Sequence, residues 1–343
     1  MIGWECSLRG NIPFLMRNDK KCDIIKIICV IWRNIMQKKS RAKNSSLKKY
    51  IVADRYDGMP LEEYLKNVME VSARQRQKLF FSRGVYVNGV SAHSKRPLKA
   101  GDMVAVRQFK DTSYGVTPEE GPVDIIYEDN DIIVLNKPAG TLVHPAGRTE
   151  SGTLANYLAG YFKQKKQIFT IRPVHRLDRD TTGCVLFAKS SRIQTVLEKM
   201  LSEGKIHRSY EAVILGDGDK LAQEFPEGII DEPIARDVFR PNRRVISSDG
   251  QRAVTHFQVL KRGTDYSLIS LWLETGRTHQ IRVHLAHSGY SVVGDKLYGR
   301  GDAHIGRQAL HAVAIELIHP TSGEKLRLMA KRPEDFAQLV RSI

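Results

Sequence analysis

The sequence is poor in cysteine and contains no long apolar run. Its 343 residues include only four cysteines, Cys6, Cys22, Cys29 and Cys184, and no two of them form a C-x-x-C pair. This scarcity argues against a disulfide framework and a cysteine-rich zinc site, and it favours a reducing compartment. The apolar stretch from Ile24 to Trp32 is interrupted by Lys26, and it is much shorter than the ~20 residues that cross a membrane. We therefore expect a cytoplasmic protein with no membrane association.

Positive charge is in excess but unevenly distributed. The chain has 54 Lys and Arg against 38 Asp and Glu, a net charge of +16, which indicates a polyanionic partner. Residues 1–49 hold twelve of these cations and only three acidic residues, a net of +9. No small-residue cleavage site of a signal peptide follows the apolar stretch, so we predict a disordered basic extension over residues 1–49. Because Met36 opens a more ordinary cytosolic sequence, we hypothesise that translation begins there, which the intact mass of the native protein would test.

Residues 50–109 are predicted to form a small module of two helices and a short sheet. Ser72 and Gly84 bracket the second helix as its N-cap and C-cap. The Asn-Gly pair in VYVNGV predicts a hairpin, and a strand follows from Met103 to Arg107. The module resembles the RNA-binding domain first described in ribosomal protein S-four. That resemblance implies that the basic residues around the second helix contact RNA, namely Arg74, Arg76, Lys78 and Arg83.

A larger domain is predicted over residues 123–343, after a linker of Gly, Pro, Ser and Thr over residues 110–122. Strand and helix patterns mix there without a regular βαβ period. We therefore predict an α+β fold with a mixed, mostly antiparallel sheet. A helix is expected near residues 278–287, with Thr278 as its N-cap.

The stretch HRLDRDTTG, which starts at His175, places two carboxylates among arginines just before the apolar run that begins at Cys184. Asp178 and Asp180 are two residues apart, so in an extended segment they face opposite sides and only one can enter a given pocket. A carboxylate among cations is favoured in its ionised form and can act as a nucleophile or base. The alternative is that Asp178 or Asp180 simply pairs with Arg176 or Arg179, and spacing alone favours that interpretation.

Several separated blocks together resemble the RluA-type pseudouridine synthases, which isomerise uridine to pseudouridine in ribosomal or transfer RNA. HRLDRDTTG is similar to the family signature, and the remaining blocks follow in the expected order over roughly residues 50–340. They are VLNKPAGTLVHPA (Val134–Ala146), KIHRSYEAVILG (Lys205–Gly216), LETGRTHQIRVHLAHSGYSVVGDKLYG (Leu273–Gly299) and ALHA (Ala309–Ala312).

The resemblance implies a role for each matching residue. Asp178 would be the catalytic aspartate, Tyr210 would stack on the flipped base and assist in moving a proton, and Arg282 would pair with Asp178 and keep it ionised. Further residues of the matching blocks are expected to line the substrate site: Lys137, His144, His175, Arg176, Leu177, Thr181, Gly183, Arg277, His279 and Gln280.

The reaction that the resemblance implies needs no cofactor or metal, because nothing is oxidised and no group is lost. A metal site at His279 and His284 is not expected, since five residues of helix turn ~140° beyond a full circle and no cysteine or carboxylate cluster joins these side chains. The expected partner is ribosomal RNA, with transfer RNA as the alternative, and we expect a monomer. Two other functions remain open: a noncatalytic RNA-binding protein, and a hydrolase acting on nucleosides.

Overall fold

The computed structural model describes residues 47–109 and 111–343. Within them the chain divides into two compact units. The smaller unit contains the described residues up to Asp57 together with Leu79–His93 and the segment from Leu98 to Phe109, and the rest belongs to the larger unit. The predicted extension lies outside the described residues over residues 1–46, as does Lys110. The domain bounds proposed from the sequence stay a prediction.

The smaller unit contains a four-stranded antiparallel sheet. Its order is β1-β4-β2-β3, with β1 at Leu47–Ile51, β2 at Val85–Val87, β3 at Val90–Ser91 and β4 at Met103–Arg107. Strand β1 starts three residues before the predicted module, so residues 47–49 belong to this sheet and not to a disordered extension. The predicted hairpin is confirmed: Asn88 and Gly89 have φ values of 52° and 84°, as a type I′ turn requires.

The helices of the N-terminal region follow the predicted pattern, with one correction at a helix end. Helix α1 covers Leu61–Glu63 and continues as a π-helical turn over Tyr64–Val68, and α2 covers Ala73–Phe81. The left-handed residue after α2 is Arg83, with φ 49°, and not Gly84. The backbone N–H of Gly84 donates to the Leu79 carbonyl at 2.7 Å, which is the closing bond of a Schellman motif. Gly84 instead leaves room for Leu79 and Arg107, which a Cβ there would approach to 3.2 Å.

The larger unit is built on a ten-stranded mixed sheet. Its order is β10-β13-β14-β9-β15-β8-β6-β5, with β16 paired to β15 and β7 paired to β8, while β11 and β12 form a separate ribbon. The strands are β5 (Ile125–Glu128), β6 (Ile132–Lys137), β7 (Arg172–Pro173), β8 (Thr182–Ala188), β9 (Ile206–Leu215), β10 (Ile229–Asp231), β11 (Ile234–Arg236), β12 (Arg244–Ile246), β13 (Val254–Lys261), β14 (Tyr266–Leu273), β15 (Leu310–Ile318) and β16 (Lys325–Met329). Among these strands only the β8–β15 pair is parallel, so the predicted α+β class and mostly antiparallel sheet are confirmed.

Five helices pack around this sheet in the described part of the larger unit beyond residue 110. They are α3 (Leu154–Gln164), α4 (Ser191–Ser202), α5 (Gly218–Glu224), α6 (Gln280–His287) and α7 (Glu334–Ser342). Helix α3 begins with a capping box, in which Thr153 and Asn156 exchange side-chain and backbone hydrogen bonds. The N-cap of α6 is His279, in a left-handed conformation with φ 59°, and not Thr278 as predicted.

Strand β8 follows the candidate catalytic loop and lies in the interior of the ten-stranded sheet. All seven of its residues are buried, as expected for a strand covered on both faces. Gly183 has φ 110°, and a Cβ there would lie 2.1 Å from the carbonyl oxygen of Ala312. Only glycine fits this close contact between the paired strands β8 and β15. The contact fixes the position of the loop that precedes β8.

Candidate active site

A cavity of about 550 Å³ lies beside the HRLDRDTTG loop. The loop between β7 and β8 forms one wall, the start of β9 contributes Arg208 and Tyr210, and the segment from Leu273 to Arg282 closes the opposite side. Of the residues predicted to line a substrate site, the loop contributes His175, Arg176, Leu177 and Thr181, and the opposite wall contributes Arg277, His279 and Gln280. The cavity also contains all three residues expected to be catalytic: Asp178, Tyr210 and Arg282.

Asp178 is held by Arg282 across a sequence separation of 104 residues. Arg282 Nη1 donates to Asp178 Oδ2 at 2.9 Å, while its Nε and Nη2 donate to the two carboxylate oxygens of Asp295 at 2.7 and 2.8 Å. Burial acts to lower the pKa of Arg282, but the hydrogen bonds with Asp295 and the charges of both carboxylates outweigh it and raise the pKa. The guanidinium therefore stays charged, and it holds the Asp178 carboxylate through a charge-assisted hydrogen bond.

Asp295 is the residue that positions this guanidinium, and the sequence did not reveal it. Its side chain is only 1% exposed, and Oδ1 also accepts from the backbone N–H groups of Leu297 and Tyr298. It belongs to the stretch GYSVVGDKLYG, which carries no local signature of an ion pair with α6. Because Arg282 binds Asp295 in a bidentate manner, its remaining Nη1 is aimed at Asp178.

His279 and Tyr298 form a second contact beside Asp178. His279 Nε2 lies 3.8 Å from Asp178 Oδ1, and its Nδ1 lies 2.8 Å from the Tyr298 hydroxyl, which accepts the backbone N–H of Arg244 at 2.8 Å. Burial lowers the pKa of His279 although Asp178 acts in the opposite direction, so the ring is mostly neutral at pH 7. Its left-handed backbone conformation is uncommon for a non-glycine residue, which indicates that the surrounding contacts hold it in place.

Tyr210 stands on β9 with its side chain almost completely buried, at 4% exposure. Burial is the main cause that raises its pKa, and the Asp178 charge adds to it while Arg208 opposes it. The hydroxyl therefore keeps its proton near neutral pH, which favours a ring that packs against a substrate over a group that acts as a base.

Two of the predicted substrate contacts in the cavity wall are occupied by structural bonds. His175 Nε2 accepts the backbone N–H of Leu186 at 3.1 Å, and burial, aided by the Arg208 charge, lowers the pKa of His175 to about 3. Gln280 uses its amide to bond the Val254 carbonyl and Thr255, and its oxygen to accept from two further groups. These bonds fix both side chains in the cavity wall, and their contact with a substrate stays a prediction.

Three predicted substrate-binding residues do not line this cavity. Lys137 is fully buried, and its Nζ donates to the carbonyls of Pro138, Thr141 and Arg179 at 2.7–2.8 Å. Burial lowers the pKa of Lys137 to about 7. Lys137 thus ties the turn after β6 to the loop next to Asp178, and it does not line the cavity that contains Asp178. His144 lies outside the cavity as well. Gly183 makes the close contact between β8 and β15 described above.

The two carboxylates of the loop are separated, as their spacing predicted. Asp180 pairs with Arg179 at the surface, at 3.2 Å, and does not line the cavity. Asp178 pairs instead with Arg282, so the interpretation in which it simply bridges a neighbouring arginine is wrong.

The basic residues predicted to contact RNA are not equivalent. Arg74, Lys78 and Arg83 are exposed, and Arg74 and Lys78 lie four residues apart on one face of α2. The Arg76 side chain is only 14% exposed, and its Nη1 donates to the Val71 carbonyl at 2.6 Å. Arg76 therefore stabilises the start of α2 and is a poor candidate for binding phosphate.

The described residues contain no group of three or more His, Cys, Asp or Glu side chains that could hold a metal ion. His279 faces Asp178, whereas His284 Nε2 donates to the Glu232 carbonyl at 2.9 Å, so these two histidines bind different partners. No helix between residues 47 and 343, Lys110 aside, has the length and apolar character needed to cross a membrane.

Comparison with known proteins gives consistent matches. The family model for RNA pseudouridylate synthase matches residues 131–287. The RNA pseudouridine synthase YhcT of Bacillus subtilis is 38% identical over 294 residues, covering 85% of this chain and 96% of YhcT. The ribosomal large subunit pseudouridine synthase D of Yersinia pestis is 36% identical over 309 residues, with coverage of 85% and 93%. The protein of the same name from Escherichia coli is 35% identical over 305 residues, with coverage of 84% and 92%.

Proposed function

Because this chain belongs to the RluA-type RNA pseudouridine synthases and isomerises uridine to pseudouridine in RNA, we propose that Asp178 is its catalytic residue and that its target lies in large-subunit ribosomal RNA. The observation that carries the first part is the ion-pair chain from Asp178 through Arg282 to Asp295. It holds one carboxylate against a cavity large enough for a nucleoside.

The reaction requires a positioned carboxylate and little else. The bond between ribose C1′ and uracil N1 breaks, the ring turns, and C1′ bonds to C5, which releases a proton while N1 gains one. Arg282 occupies Oδ2 of Asp178, so Oδ1 is the oxygen left to act on the substrate. It can attack ribose or the ring, or remove a ribose proton, and each route uses the same ionised group.

Tyr210 supports the proposal as the surface for the extruded base. A uridine inside folded RNA must leave its stack before an enzyme reaches its glycosidic bond. Stacking on an aromatic ring contributes roughly 1–3 kcal/mol per base, which offsets part of the cost of extrusion. The buried Tyr210 ring lies on the cavity wall with Asp178, and its hydroxyl keeps its proton. The ring therefore suits that role.

Two considerations favour large-subunit ribosomal RNA over transfer RNA. Two of the similar proteins described above are named ribosomal large subunit pseudouridine synthase D. The chain also carries basic residues in its N-terminal part, where the exposed Arg74, Lys78 and Arg83 are suited to phosphate contacts. The noncatalytic RNA-binding alternative is disfavoured because the cavity retains a paired, buried catalytic constellation. The hydrolase alternative is disfavoured by the family membership.

The proposed setting is the cytoplasm, and the proposed assembly is a monomer. Cys184, the single cysteine among the described residues, is a buried free thiol, and burial raises its pKa to about 12. An unreactive thiol and the absence of C-x-x-C pairs agree with a reducing compartment. Size-exclusion chromatography with light scattering tests the assembly, and a dimer mass would overturn that part of the proposal.

Mapping of new pseudouridines tests the target. Ribosomal and transfer RNA are isolated from a strain that lacks this gene, incubated separately with the protein, and mapped at single-nucleotide resolution. We expect new pseudouridines in large-subunit ribosomal RNA with the wild-type protein and none with Asp178→Asn. Modification confined to transfer RNA would refute the proposed target, and modification by Asp178→Asn would refute the proposed residue.

A further inference from the structure

Arg208 is a buried arginine that points to a ligand, because no described residue binds it. Its side chain lies in the cavity wall and the residue is 9% exposed. Its Nε is buried without a hydrogen-bond partner, and no described residue forms an ion pair with the guanidinium. A nearly buried arginine whose Nε has no partner is costly to a fold, so its presence calls for a functional explanation.

The three carboxylates that line the same cavity form no ion pair with Arg208, and each has another partner. Asp178 is held by Arg282, and Glu274 pairs with His256 and with an exposed arginine. Glu198 accepts from Gln194 at 2.8 Å. These carboxylates leave the Arg208 guanidinium without an anionic partner among the described residues, so its donors are available to a ligand in the cavity.

The position of Arg208 indicates which part of a substrate it meets. Arg208 and Tyr210 are two residues apart on β9, so both side chains project from one face, about 6.7 Å apart along the strand. The guanidinium lies against the backbone of Gly276, where a Cβ would come within 3.2 Å of Nη1. A base stacked on Tyr210 would present its edge to this guanidinium.

We propose that Arg208 is a further catalytic residue, which donates to a carbonyl oxygen of the flipped uracil and stabilises the ring when its bond to ribose breaks. This inference rests on the proposed function. As the C1′–N1 bond breaks, its electron pair stays with the ring and spreads onto O2 and O4. The ring then bonds to C1′ through C5, loses the C5 proton and gains a proton at N1, so no co-reactant is needed.

The chemistry of arginine matches this role. A guanidinium has donors only, so it binds O2 or O4 of uracil and gains strength as negative charge develops there. Its location in a cavity from which the substrate excludes water increases that gain, because the local dielectric is low. A phosphate of the RNA is the competing anion, but the nine-tenths burial of Arg208 and its place beside Tyr210 favour the base over the backbone.

Rate and affinity separate these two ligands. Tritium release from a transcript that carries [5-³H]uridine at the mapped site is measured in single turnover at saturating protein, for Arg208→Met, Arg208→Lys and the surface control Arg262→Met. Arg262 is an exposed arginine that pairs with Asp219. For Arg208→Met we expect the saturating rate to fall about 10²–10³-fold, as for loss of one charge-stabilising donor, with the RNA Kd changed less than about threefold. Arg208→Lys should lie between, and Arg262→Met should match the wild type.

Sulfur substitution in the substrate identifies the contacted atom. Target uridines with sulfur in place of O4 or O2 are tested against the wild type and Arg208→Met. If Arg208 binds one carbonyl, that substitution slows the wild type but adds little to Arg208→Met, and the other substitution slows both proteins equally. Equal slowing of both proteins by both substitutions would overturn the proposal. The proposal would also be overturned if Arg208→Met had a raised RNA Kd and a smaller salt slope of RNA binding at an unchanged saturating rate. That result would show that Arg208 binds a phosphate.

The melting temperature of Arg208→Met distinguishes a ligand-binding arginine from a structural one. Removing an unpaired buried charge should raise the melting temperature of Arg208→Met above that of the wild type, whereas a structural arginine would lower it. A lower melting temperature together with a proportionate loss of rate in Arg208→Lys would overturn the proposal. The wild type is the reference on the same transcript: if it is inert, the proposed function itself fails, and if it is active while Arg208→Met equals it, only the role of Arg208 fails.

Discussion

Replacing Arg282 by Met should remove activity and stability by the same physical cause. Arg282 is 6% exposed and is the shared cation of Asp178 and Asp295. Methionine is similar in length and apolar, so it fills the space but leaves both carboxylates without a partner. Asp295 suffers most, because its side chain is 1% exposed and water cannot take the place of the guanidinium.

The magnitude follows from the burial of the pair. Breaking a buried ion pair by removing one partner costs about 3–5 kcal/mol, and the upper part of this range applies to Asp295. Asp178 is 17% exposed, so solvent screens part of its loss. A loss of about 4 kcal/mol is a large fraction of the 5–15 kcal/mol that stabilises a typical domain, and urea unfolding should show it as a clear fall of the midpoint at an unchanged slope.

Two control variants separate the contributions. Asp178→Asn keeps the Arg282–Asp295 pair, so its urea midpoint should stay near that of the wild type while activity is lost. The double variant Arg282→Met/Asp295→Leu removes the buried anion together with its cation, so most of the stability should return and activity should not.

Single-turnover activity of Arg282→Met gives the decisive test. Without the cation, Asp178 loses the hydrogen bond that positions its carboxylate, so the rate at saturating RNA should collapse. RNA affinity should fall only modestly, since the guanidinium is one group among the many that line the RNA-binding surface. A variant with normal turnover at saturating RNA and only weaker binding would show that Arg282 is a phosphate contact and would refute this reasoning.

Three further predictions concern other parts of the molecule. Asp178→Asn should lower the isomerisation rate by more than about a thousandfold at nearly unchanged RNA affinity, and Asp180→Asn should be much milder; equal losses in the two variants would contradict the assignment. Replacing the exposed basic residues of the N-terminal region should reduce the log–log salt slope of RNA binding by about 0.7 for each phosphate of single-stranded RNA that is no longer neutralised, and an unchanged slope would show that they do not face the RNA; they are Arg74, Lys78 and Arg83. The pKa of His175 is about 3 in the fold against about 6.5 unfolded. The contribution of His175 to stability is therefore complete above pH ~6.5 and is lost as pH falls toward 3. If the urea midpoint of His175→Asn depends on pH as that of the wild type does, His175 does not cause the loss of stability at low pH.

Much of the fold could be predicted from local patterns, because those patterns act over a few residues. The Asn88-Gly89 turn, the strand from Met103 to Arg107 and the helix near residues 278–287 each follow from residues that are neighbours along the chain. A prediction was wrong where a residue that is distant in sequence but close in space determines the local structure. The helix cap at Gly84 was assigned from residue type, whereas the close approach of Arg107 determines why glycine stands there.

The candidate site divides in the same way. Local rules were enough to show that Asp178 and Asp180 must face different sides, since that depends on the two-residue alternation of an extended chain, and the motif blocks pointed to Asp178, Tyr210 and Arg282. Tertiary contacts were needed to show that Asp295 holds Arg282, that Lys137 is a buried tie to three carbonyls, and that Arg208 faces the cavity without a partner. These contacts join strands, loops and a helix that are far apart in sequence, and charge partners depend on distance in space, which the order of residues does not record.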